Sequence, residues 1–124
     1  MRVLLDANAV LRYLLGDNAT MASKTKSALE FGAYLLPEVL AEVVYVLTGV
    51  YSVPRGESSE KLIAFIDEVE CAHPTVLRKG LEFFGASKLD FVDSLLLAYH
   101  VEMGDAVLTF DKDLKKRLDE NIDA

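Results

Sequence analysis

Met1-Arg2-Val3-Leu4-Leu5-Asp6-Ala7-Asn8-Ala9-Val10-Leu11-Arg12-Tyr13-Leu14-Leu15-Gly16 opens the chain, and its reading decides the fold. Val3 to Leu5 is a short apolar run that ends on a carboxylate, Asp6. Such a run reads as a buried strand, and the residues after it have helical spacing. In open α/β sheets, ligands bind beyond the carboxyl ends of the strands. Asp6 therefore stands where these folds place their chemistry. It is equally a helix cap, because Asp is among the favoured residues before a first turn.

Outward from this stretch, short apolar runs keep alternating with helical patterns. The spacing predicts a helix over 8–15, ended by Gly16, and an amphipathic helix over 20–31, stopped by Gly32. Ala33 to Leu36 reads as a second strand, and Pro37 opens a helix reaching about Thr48, where its missing N–H costs nothing. Ser58 or Ser59 is the expected cap of a helix ending about Glu68. Val69 to Ala72 is a weaker strand, and a helix over 75–84 follows it. Asp90 is the better cap for the next helix, which is apolar almost all round and so is expected to be buried. Ala106 to Leu108 reads as a buried strand leading into a last helix, Lys112 to Leu118, and a polar tail. The alternation predicts a three-layer α/β/α sandwich around a mainly parallel sheet of four or five strands.

The 124 residues are expected to form a single domain over 1–124. Apolar residues make up 52% and charged ones 27%, a composition typical of a soluble globular protein. Cys71 is the single cysteine, which excludes an internal disulfide and fits a reducing compartment. The chain has no basic-then-apolar leader and no run of spanning length, so a cytoplasmic protein with no membrane association is expected. The net charge of −7 disfavours nucleic-acid binding by phosphate neutralisation alone. It is compatible with acting on phosphates through clustered carboxylates that hold divalent cations.

Four carboxylates stand out by position. Asp6 and Asp111 each follow a predicted strand, at the same edge of a parallel sheet. Glu42 and Asp93 lie in the first two turns of predicted helices. Asp93 sits on a helix with hardly any polar face, and an unpartnered buried carboxylate there is costly. Four oxygen donors without His or Cys suit Mg²⁺ or Mn²⁺ rather than zinc. Unit charges 4 Å apart repel by about 4 kcal/mol near a protein surface, so such a cluster calls for cations. A site of this kind suits phosphodiester hydrolysis. His73 and His100 are isolated, and neither a Gly-rich phosphate loop nor a nucleophile elbow is present.

Four segments in this order resemble the motifs of the PIN-domain family, and within it the VapC-type toxins of toxin–antitoxin pairs. They are Leu5-Asp6-Ala7-Asn8-Ala9-Val10-Leu11-Arg12, Leu36-Pro37-Glu38-Val39-Leu40-Ala41-Glu42-Val43, Asp90-Phe91-Val92-Asp93-Ser94-Leu95 and Leu108-Thr109-Phe110-Asp111-Lys112-Asp113-Leu114. The resemblance covers residues 1–118. It implies a metal-dependent endoribonuclease, with Asp6, Glu42, Asp93 and Asp111 holding Mg²⁺ or Mn²⁺ and water attacking the RNA phosphodiester to leave a 5′-phosphate and a 3′-hydroxyl. It implies Asp90 as a companion acid and matches Thr109. On the cleavage reading Thr109 supports a carboxylate or water, Asn8 positions a phosphate, and Arg12, Arg55, Lys88 and Lys112 are the candidates for RNA contact, against the commoner role of such cations as solvated surface. The resemblance further implies homodimers and a small antitoxin protein covering the acidic groove. The family commonly adds one more strand after the last helix, for which little chain remains here. Two other readings are a solitary PIN nuclease of RNA maturation or decay and a non-catalytic PIN-like binding module. A phosphoacceptor domain would need adjacent acids on its first loop, which are lacking.

Overall fold

The computed structural model describes residues 1–121. Seven helices carry the fold: α1 (Ala7–Leu15), α2 (Ala19–Glu30), α3 (Pro37–Gly49), α4 (Arg55–Ile66), α5 (Pro74–Ala86), α6 (Phe91–Met103) and α7 (Lys112–Glu120). The expected α/β/α sandwich is not present. Among the described residues no β-strand forms, and the parallel pairing is limited to two isolated bridges, Leu4 with Tyr34 and Tyr34 with Glu70.

Those bridges show why the pattern pointed to a sheet. Val3 to Leu5, Ala33 to Leu35 and Glu70 lie side by side and parallel. Leu5 donates its N–H to the Tyr34 carbonyl at 3.1 Å, Tyr34 donates to Val3 at 2.8 Å, and Leu35 donates to Glu70 at 2.9 Å. Each pairing is one residue deep because the chain turns into a helix on reaching it. Asp6 caps α1 immediately after Leu5, and Pro37 sits at the start of α3. Leu5, Ala33 and Leu35 are buried, whereas Val3 and Leu4 are each 50% exposed.

The fourth expected strand, Ala106 to Leu108, has no bridge partner among the described residues. Leu108 is 87% exposed and Phe110 is 94% exposed, so this segment is not the buried strand its composition suggests. Its ends are tied elsewhere. Gly104, in the left-handed region, closes α6, and His100 Nδ1 lies 2.8 Å from the Asp105 carbonyl oxygen. At the other end, Leu114 and Leu118 anchor α7 on Leu89 and Leu97. α7 runs to Glu120, which takes up the residues a fifth strand would need before 122, and Ile122 to Ala124 lie outside the described residues.

The main core joins α1, α3, α4 and α5 through side chains such as Val10, Leu40, Leu47, Leu62, Phe65 and Leu81. α6 contributes Phe91 and Leu95 to it. Contrary to the expectation of burial, α6 leaves Val92, Leu96 and Met103 exposed. α4 also begins earlier than expected. Ser58 and Ser59 are not its cap but lie buried inside it, and Pro54 holds the cap position. No helix among the described residues is long and apolar enough to cross a membrane.

Candidate active site

Three of the acids singled out by the sequence begin helices. Asp6 accepts the Ala9 N–H at 2.8 Å at the start of α1. Asp90 accepts the Asp93 N–H at 2.8 Å at the start of α6. Asp111 accepts the Leu114 N–H at 2.8 Å at the start of α7. Each satisfies a donor that the first turn of a helix leaves free, and each places negative charge at the positive end of a helix dipole. One carboxylate oxygen makes the cap, so the other is available to a cation or a water.

The two remaining acids sit inside helices. Asp93, on the first turn of α6, is half-buried. Burial is the first cause that raises its pKa above the ordinary carboxylate range, and the charges of Asp90 and Asp111 add to it. Asp90 and Asp111 are therefore each within electrostatic reach of Asp93. Glu42 lies exposed on the second turn of α3. Asp6 and Glu42 share an end of the fold, since each follows one of the two paired extended segments, Leu4 and Tyr34.

Among the described residues, no three His, Cys, Asp or Glu side chains stand where they could hold one metal ion. The chemistry of the donors fits a hard divalent cation, and the half-buried Asp93 with two like charges beside it favours one. The spacing does not gather Asp6, Glu42, Asp93 and Asp111 into a finished centre. The missing strand at 106–108 bears on this, because a shared parallel sheet was what put Asp6 and Asp111 at one edge in the expected fold.

The supporting residues are placed as follows. Thr109 Oγ1 accepts the Asp111 N–H at 3.0 Å and so fixes the turn into α7. Asn8 is exposed in the first turn of α1, two residues past Asp6. Arg12 donates to Asp17 Oδ2 and to the Tyr51 hydroxyl, both at 2.7 Å. Its Nε is buried without a partner among the described residues. The Arg55 guanidinium lies 3.7 Å from the centre of the Phe84 ring and donates to the carbonyls of Phe84 and Leu89. Arg12 and Arg55 thus have structural work. The cations of α7 beyond Lys112 escaped the sequence reading, although the run Lys112-Asp113-Leu114-Lys115-Lys116-Arg117 in a chain of net charge −7 was the signal that could have found them.

Comparison with known families and proteins bears on this site. A family model described as PIN domain matches residues 3–119. PIN domains are in general nucleases and in general use divalent metals. The comparison with curated proteins and the comparison with solved structures each returned no match. The matched stretch takes in all four acids and all seven helices but for the last residue of α7. On that match the chain belongs to the PIN-domain family.

Proposed function

We propose that the chain is a Mg²⁺- or Mn²⁺-dependent endoribonuclease, the toxin of a VapBC-type toxin–antitoxin pair. The observation that carries this reading is the approach of Asp90 and Asp111 to the half-buried Asp93 in a PIN-family chain. A nuclease explains why an acidic protein keeps like charges together at the start of α6, where they oppose one another.

Asp6, Glu42, Asp93 and Asp111 are the candidate ligands; since no three of them stand in place for one ion among the described residues, they would have to close on the metal, which when bound would supply charge neutralisation and an activated water. The rest falls to the chain itself. Asp90 fixes the first turn of α6 and with it the Asp93 carboxylate. Thr109 holds the backbone of Asp111. The Asn8 amide offers both a donor and an acceptor to a phosphate or a water beside Asp6. Arg12 adds positive charge on the same helix, steadied by Asp17 and Tyr51. The exposed apolar side chains Val92, Leu96 and Met103 along α6 support a homodimer, and the acidic groove is the surface that a small antitoxin protein would cover.

The test is cleavage of a folded RNA by purified protein with Mn²⁺ or Mg²⁺, repeated with Asp93→Asn. Cleavage that EDTA stops and Asp93→Asn reduces by about a hundredfold or more is the expected outcome, in line with the loss of one group that stabilises transition-state charge. Undiminished cleavage by Asp93→Asn would refute the assignment. A short reading frame beside the gene, encoding a DNA-binding protein that blocks this cleavage, separates the toxin from a solitary nuclease.

A further inference from the structure

We infer that the exposed face of α7, together with Lys88, is the surface that receives the phosphates of a single-stranded RNA beside the acidic site; this rests on the nuclease reading and names how its substrate is held. α7 starts at Lys112, directly after Asp111, and residues 112–117 carry four cations and one acid in a chain of net charge −7. The helix is buried only through Leu114 and Leu118, so the cations lie on the faces that do not pack. Lys112, Lys115 and Lys116 share a shallow surface on one side, which Asp119 and Glu120 also border at its far end. Lys116 and Arg117 face Lys88 across a groove of about 710 Å³ between α7 and the loop that follows α5. Asp113 and Glu120 also border this groove, and they limit how much general anion binding it supports.

The other cations of the chain cannot form a comparable surface. Arg12 is held by Asp17, Arg78 by Asp67 and Lys79 by Glu82. Arg55 is held by backbone carbonyls and the Phe84 ring, and Arg2 lies over Tyr34. Lys24 and Lys26 lie on α2 and Lys61 on α4, helices that carry none of the four acids. Among the described residues, none of the five cations at Lys88 and on α7 makes a salt bridge within the chain. α7 has nine residues, and at about 1.5 Å of rise per residue it is long enough to meet successive phosphates of an extended strand. The strip begins at an acid of the proposed site, so a strand lying along it reaches that site. Placing unpaired cations beside the proposed acidic site lets a protein of net negative charge meet RNA phosphates there.

The test is fluorescence anisotropy of a labelled, unstructured 12-nucleotide RNA in EDTA, which prevents cleavage during binding. A variant with Lys112→Gln, Lys115→Gln and Lys116→Gln is compared with one carrying Lys24→Gln, Lys26→Gln and Lys61→Gln, which changes net charge equally. The α7 variant is expected to bind about tenfold more weakly, with a salt-dependence slope smaller by about 2, at about 0.7 for each phosphate that is no longer neutralised. The control variant should stay within about twofold of the wild type. Circular dichroism of both variants establishes that α7 remains folded. Equal losses in the two variants, no loss in the α7 variant, or no binding by the wild type would overturn the inference. Wild-type protein that binds through α7 but cuts no RNA with Mg²⁺ or Mn²⁺ would leave it standing and refute the nuclease reading instead.

Discussion

The Asp90 carboxylate accepts the backbone N–H of Asp93 at 2.8 Å, so the charge that starts α6 also acts on the half-buried carboxyl three residues later. One residue thus stabilises the helix and destabilises the ionised form of its neighbour. These two effects can be separated by substitution. Asp90→Asn keeps a side-chain acceptor and removes the charge, and its stability should stay close to that of the wild type. Asp90→Ala loses the cap and should cost about 0.5–2 kcal/mol. Urea denaturation of both variants checks the difference.

The raised pKa of Asp93 has a definite sign in stability. Between the ordinary carboxylate value and the raised one, the folded chain binds more protons than the unfolded chain. Stability then falls as pH rises through that window. Asp93→Asn removes this loss, so the variant should melt higher than the wild type at neutral pH without divalent ions. The gap should close as the pH falls below the ordinary carboxylate range. Millimolar Mg²⁺ should raise the melting temperature of the wild type by mass action and leave Asp93→Asn nearly unmoved. Melting curves at pH 7 and pH 3, with and without Mg²⁺, measure both effects.

Packing offers an independent check on how α4 and α5 are held. A side chain at Gly85 would put its Cβ 2.8 Å from the Ser59 Cβ. Ser59 cannot easily yield, since it is buried and its hydroxyl donates to the Leu81 carbonyl at 2.7 Å. Gly85→Ala should therefore cost about 1–3 kcal/mol, despite the gain that alanine brings by restricting the unfolded chain. Ser59→Gly combined with Gly85→Ala should recover part of the loss, because the two residues share one space. A double-mutant cycle by thermal denaturation reads the coupling.

Much of this was legible in the sequence. The helices follow from apolar spacing and from Asp90, Pro37 and Gly16, all of which act through local chemistry, whereas the capping role of Asn18 was not read from the sequence. The three extended segments that meet at Leu4, Tyr34 and Glu70 were also visible as short apolar runs. Their pairing extends only one residue, however, and the extent of pairing is set by tertiary packing rather than by composition. Ala106 to Leu108 has the composition of a buried strand, but burial needs a neighbour, and Leu114 and Leu118 hold the following helix against Leu89 and Leu97 instead. Ser58 and Ser59 look like helix caps in one dimension. In three they lie inside α4, where Ser59 meets α5. Asp6, Asp90 and Asp111 were found by position, and their capping bonds are local. The approach of Asp111 to Asp93 depends on how α7 docks, which no local pattern states.

In the proposed ribonuclease Asp6 belongs to the metal site and is more than the cap of α1. The most direct test is to map the RNA ends that purified wild-type and Asp6→Asn proteins leave in the presence of Mn²⁺. Asn is as good a cap as Asp, so the substitution should keep the fold while removing the charge. New 5′-phosphate and 3′-hydroxyl ends from the wild type, absent from Asp6→Asn and from reactions with EDTA, are the predicted result. Full metal-dependent cleavage by folded Asp6→Asn would contradict the account.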